Sequence, residues 1–144
     1  MRWKDEAQEK LKRYDWMHQA LVNIPMEIKR LKDDAVNLRS AADGVAVRGG
    51  GGKREDALIN NLVQQQELEK NLKQVRQWLS VMDRSLSSMD PEDQLVLNRL
   101  FLYPQRDAIN QLCSELGVEQ ATVYRKRDRA LYRFTVALYG FPET

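Results

Sequence analysis

The stretch Asp107–Phe134, DAINQLCSELGVEQATVYRKRDRALYRF, constrains this chain more than any other. Ile109, Leu112 and Leu116 recur at helical spacing and predict a first helix with one apolar face. Gly117 follows at once, where a chain leaving a helix commonly turns through positive φ, a region that glycine enters without a Cβ clash. Val118 restarts the apolar pattern, and Val123, Ala130, Leu131 and Phe134 fall on one side of a second helix. Cys113 sits where two crossing helices would press closely, a place that suits a small side chain. The second helix is also basic: Arg125, Lys126, Arg127, Arg129 and Arg133 crowd it, interrupted by Asp128.

Two short helices, a glycine turn and a basic second helix together have the spacing of a DNA-binding helix-turn-helix. The formal net charge of the chain is only +2. The cationic character is therefore local, as expected for a surface that contacts phosphates. With Val123 set inward and each residue advancing 100°, Ala130 and Phe134 return to the inner face and Lys126 and Arg127 lie at its flanks. Ala121, Tyr124, Arg125, Asp128 and Tyr132 point outward. Residues near the start of such a helix reach base edges, which makes Gln120, Ala121, Tyr124 and Arg125 the candidate readers. Gln pairs with adenine, Arg with guanine, and Ala meets a thymine methyl group. Thr122, Lys126, Arg129 and Arg106 suit phosphates, which position a protein without specifying sequence.

The run L-C-S-E-L-G-V-E-Q-A-T-V-Y-R-K-R-D-R-A-L resembles region 4 of sigma-70-type factors, and more closely the ArpU- and RinA-type phage regulators that carry that module. The resemblance covers Ser88 to Gly140, with weaker likeness in I-P-M-E-I-K-R-L-K and L-R-S-A-A-D. Glu119 departs from it, standing where such proteins place a Ser or Thr cap, and Lys126 stands near a position that is often apolar. The resemblance implies a phage or prophage transcriptional regulator that reads a promoter element through Gln120, Ala121, Tyr124 and Arg125. It also implies host RNA polymerase as a partner. Two other functions share these features: a small terminase subunit that recognises packaging DNA, and an interaction protein that holds polymerase without reading DNA.

The remainder predicts an all-α chain. Trp3, Ala7, Tyr14, Met17, Leu21, Ile24, Ile28, Leu31, Ala35, Leu38 and Ala42 form one seam, with steps of three and four once Lys10 fills its gap, the signature of a coiled coil. Pro25 removes a backbone hydrogen bond and predicts a kink or break near Asn23. A glycine-rich connection is expected near residues 43–54. It lacks the Walker spacing, because Val47 stands at the first glycine position and Arg54 replaces the hydroxyl residue. A second long helix, from about Glu55 to Leu86, continues the seam through Leu58, Asn61, Gln65, Leu68, Leu72, Val75, Leu79, Met82 and Leu86, then Met89. Its polar positions weaken packing but fix register. Residues 1–87 are thus expected to form an antiparallel helical hairpin, with Trp16, Val63 and Trp78 off the seam and available for a homodimer or for docking on the C-terminal part.

Residues 88–144 are expected to form a three-helix domain. Asp90 suits the N-cap and Pro91 the first helical position, and Glu92 and Asp93 favour the positive end of the dipole. Leu95, Leu97, Leu100 and Phe101 supply its apolar face. One cysteine excludes an internal disulfide, and no stretch has the apolar length of a membrane span, so a bacterial cytoplasm is the expected setting. His18 and Cys113 lack companions for a metal or nucleophile site, and the acids are spread at intervals suited to ion pairs. No enzyme activity, cofactor or metal is implied.

Overall fold

The structure, a computed structural model, describes residues 2–44 and 51–143. It is all-α, with no strand among the described residues. Helix α1 spans Trp3–Gly44, α2 Gly51–Ser87 and α3 Pro91–Leu97, the last continuing as a π-helical turn over Asn98–Leu102. Helices α4 (Ala108–Leu116) and α5 (Gln120–Tyr139) complete the chain. The expected glycine-rich connection is shorter than anticipated at both ends: α1 runs through Asp43 and Gly44, and α2 takes in Gly51, Gly52 and Lys53. Val47, Arg48, Gly49 and Gly50 lie outside the described residues, as does the side chain of Ala42.

Of the kink or break expected near Asn23, the break is absent: helix α1 runs through Pro25. Proline removes one i→i−4 bond. The buried residues Ile28, Leu31 and Ala35, which follow Pro25, continue the helical period beyond it. A face packed on both sides of one missing bond explains why the helix is kept.

The contacts divide the chain into two units, Gln19–Gln77 and Met1–His18 together with Trp78–Thr144. In the first, Ile28, Leu31, Ala35 and Leu72 are buried on the expected seam. Its polar positions are buried too: Asn61 is 7% and Gln65 8% exposed. Burying an amide costs free energy unless its hydrogen bonds are made. The Asn61 Nδ2 donates to the Leu31 carbonyl at 2.8 Å, and the Gln65 Nε2 donates to Asn61 Oδ1 at 2.7 Å. A carbonyl has two lone pairs, so the Leu31 oxygen can serve this amide as well as its own helix. The bond ties residue 61 to residue 31 and so fixes the register of the two helices.

The second unit is built around one core: Ala7 and Leu11 of α1, Met82 and Leu86 of α2, Val96, Leu97, Phe101 and Leu102, Leu112 of α4, and Val123, Ala130, Leu131 and Phe134 of α5. This core crosses the boundary expected at residues 87–88, because the ends of both long helices contribute to it. Polar contacts repeat the connection. The Lys10 ammonium donates to the Tyr139 hydroxyl at 2.6 Å and lies 4.0 Å from the centre of the Trp78 ring. Trp3 stacks on Tyr139 at 4.7 Å, and the Lys4 N–H donates to the Pro142 carbonyl. The Tyr14 hydroxyl donates to Asp83 Oδ1 at 2.6 Å, and burial, then this carboxylate, pushes its pKa up.

The expected supporting helix is present with its inner face shifted. Val96, Leu97, Phe101 and Leu102 are buried, whereas Leu95 and Leu100 are half-buried. The cause is the π-helical turn, closed by the Tyr103 N–H on the Asn98 carbonyl at 2.9 Å. An i→i+5 bond widens the turn, which brings residue pairs five apart, 96 with 101 and 97 with 102, toward one side.

Candidate functional site

Helix α4 begins after Asp107, which adopts left-handed φ of 71°. Asp tolerates this region better than most residues, and its Oδ1 accepts from the Asn110 side chain at 2.6 Å. Helix α4 ends at Gly117, also left-handed with φ 66°, as the sequence requires, and the Val118 N–H closes on the Cys113 carbonyl. Cys113 is half-buried and packs against the core at this crossing. Helix α5 starts at Gln120. Glu119 precedes it in extended conformation without a side-chain capping bond, although its carbonyl accepts from the Thr122 and Val123 N–H groups.

The outward face of α5 carries what its periodicity predicts. Gln120, Ala121, Tyr124, Arg125, Asp128 and Tyr132 are exposed, and Val123, Ala130 and Phe134 are fully buried. Gln120 donates to Asn110 Oδ1 at 3.2 Å, which links the starts of α4 and α5. The Arg127 guanidinium lies 5.0 Å from the Tyr124 ring and pairs with Asp128. A groove beside Tyr124 is lined by Arg127, Asp128, Arg2 just before α1 and Lys4 in its first turn. Arg125 is exposed and makes no ion pair among the described residues, and the same holds for Arg106. Thr122 is half-buried.

The other cations of the stripe are engaged. The Lys126 ammonium donates to Glu92 Oε1 at 2.6 Å, and Arg129 lies 3.3 Å from Glu92 Oε2. Arg133 donates to Asp93 Oδ2 at 2.6 Å and to Asp90 Oδ2 at 3.2 Å. Asp93 is 1% exposed, and its other oxygen has no hydrogen-bond donor, Arg129 Nη2 standing 3.7 Å away. Two acids in the first turn of α3 and Asp90 just before it thus neutralise three bases of α5. From the sequence alone, Asp90 is expected as the N-cap of α3, and Glu92 and Asp93 as complements of its dipole. Asp90 in fact makes no side-chain cap bond, because its carboxylate faces Arg133. A signal was present: Lys126, Arg129 and Arg133 are spaced i, i+3, i+7 and share one face, with a matching acidic turn elsewhere in the chain. Pairing them required the placement of α3 against α5.

The hydrogen bond from Lys126, reinforced by the charges of Lys126 and Arg129, holds the Glu92 carboxyl below the usual glutamate value. A depressed folded value contributes stability that is fully present above the unfolded value, about 4.3, and is lost as pH falls through the folded one. The wild type is therefore expected to lose more stability than Glu92→Gln on acidification from pH 6 to about pH 3. Denaturant midpoints measured along that range check this, and parallel losses would contradict it.

Among the described residues no cluster of His, Cys, Asp and Glu could hold a metal ion, and no helix is long and apolar enough to cross a membrane. No curated protein and no solved structure matches the chain. The family described as protein of unknown function (DUF1492) matches residues 36–134, a span that holds α4, most of α5 and the whole cationic stripe with its acidic counterpart, and the chain belongs to that family.

Proposed function

We propose that this protein is a phage or prophage transcriptional regulator in which α4 and α5 act as a sigma region 4-like helix-turn-helix on duplex DNA. On this reading an antiparallel helical hairpin formed by α1 and α2 carries the DNA-binding part, and host RNA polymerase is contacted at the promoter. The observation that supports it most is the first half of α5: Gln120, Ala121, Tyr124 and Arg125 exposed together beside a glycine turn, with Arg125 free of any acid among the described residues. A planar, permanently charged fork held outward on a rigid helix suits bidentate contact with guanine.

Arg125→Ala is expected to weaken binding to a specific site by roughly 1–3 kcal/mol and binding to random duplex much less. Equal loss on both would contradict the assignment of Arg125 to base reading. Lys126 and Arg129 take a different place from the one their charge suggests, because Glu92 already holds them. Glu92→Gln should release Lys126 and leave Arg129 only its longer pair with Asp93, raise affinity for any duplex and steepen the salt dependence, by about one unit of slope for each new phosphate contact. An unchanged slope would mean that these side chains stay away from phosphates.

The same ion pairs favour one alternative, an interaction protein that holds polymerase without DNA readout, since they remove cationic character from α5. Selecting bound fragments from a phage genome separates the readings. Promoter-proximal recovery supports a regulator, packaging-site recovery supports a terminase small subunit, and no recovery supports the interaction protein.

A further inference from the structure

Helix α2 carries an apolar stripe that no other part of the described chain covers. Ile59, Leu62 and Val63 are 57%, 37% and 46% exposed. Steps of three and four place them on one face, turned away from the buried seam positions Asn61, Gln65 and Leu72. The same face is charged at both ends. Glu55 and Asp56 lie one turn before the stripe, Lys70 and Lys73 follow it, and all four are exposed with no ion pair among the described residues. Read along the helix, the face runs acid, apolar, base.

That order is self-complementary in one sense only. A second copy laid parallel would set acids on acids and bases on bases. Laid antiparallel about a two-fold axis at Val63, it sets Val63 against the partner's Val63 and Ile59 against the partner's Glu67, beside the partner's Gln66. Asp56 then faces the partner's Lys70, and Glu55 falls between the partner's Lys70 and the partner's Lys73. An isologous contact requires this reciprocity, each pair off the axis occurring twice, and complementary charges at the rim set orientation while the apolar centre supplies affinity.

We infer that the outer face of α2 is a homodimer interface, packed antiparallel on itself about Val63. It stands independently of any DNA contact, because none of its residues belongs to α4 or α5. The full-length protein in sedimentation equilibrium at low salt should have the mass of two chains, with a dissociation constant that rises with salt. Val63→Glu should give monomers. The reversal Glu55→Lys with Asp56→Lys should weaken the dimer roughly tenfold or more, and adding Lys70→Glu with Lys73→Glu should restore it. Val63→Cys in a Cys113→Ser background should form a disulfide-linked dimer on mild oxidation. These positions are exposed, and far-UV circular dichroism verifies that the helices persist. A monomeric wild type at all concentrations would overturn the inference and leave the stripe to another protein. So would a dimer indifferent to Val63→Glu, or a charge reversal that the compensating pair does not rescue.

Discussion

Phe134→Ala will destabilise the unit formed by the C-terminal helices and the ends of α1 and α2 by about 3–5 kcal/mol. Phe134 is fully buried in a core that draws on all five helices. Truncation removes the transfer free energy of the ring and leaves a cavity whose walls relax only in part. The same core holds Val96 and Leu97 of α3 and Ala130 and Leu131 of α5, all buried themselves. Tryptophan fluorescence in urea follows the loss, since Trp3 stacks on Tyr139 and Trp78 lies beside the Lys10 ammonium, both within this unit. A loss below about 1 kcal/mol would mean that the side chain sits at a loosely packed site.

Leu11→Ala is expected to cost about 2–5 kcal/mol, and to do so in the same unfolding transition as Phe134→Ala. Leu11 is fully buried in that core although it lies in the opening turns of the chain. If α1 belonged only to a separate hairpin, the substitution would leave the C-terminal helices at wild-type stability. Amide exchange on Val123, Leu131 and Phe134 distinguishes the two. The structure requires faster exchange there in Leu11→Ala, and unaltered protection at those amides would contradict the shared core.

Leu11 also shows where sequence legibility ended. The heptad steps pointed to Lys10 as the gap-filler between Ala7 and Tyr14. In the fold the Lys10 amine reaches the Tyr139 hydroxyl and the Trp78 ring, while Leu11 takes the core. Both partners lie far along the chain, and no local period encodes them. Local chemistry was readable where one residue decides the geometry: Gly117 at positive φ, Pro91 in the first turn of α3, Val123 and Phe134 on one buried face. The polar seam at Asn61 and Gln65 was readable as well, since it interrupts a sustained repeat and each amide then needs a partner.

The outward residues of α5 followed from helical periodicity and are exposed as expected. Their charge environment did not follow. Lys126 and Glu92 are 34 positions apart and Arg133 and Asp90 43 apart. Their meeting depends on how α3 crosses α5. The π-helical turn belongs to the same class, because five-residue closure at Asn98–Leu102 is selected by the core it faces and not by a sequence signal of its own.

The central claim, that the first half of α5 faces duplex DNA, is tested most directly by following backbone amide resonances of the full-length protein as promoter-region duplex is added. The full chain is needed because Ala7, Leu11, Met82 and Leu86 complete the core on which α5 rests. The account predicts salt-sensitive shifts concentrated at Gln120, Ala121, Tyr124 and Arg125. Resonances of those four residues that stay in place at saturating duplex would contradict it.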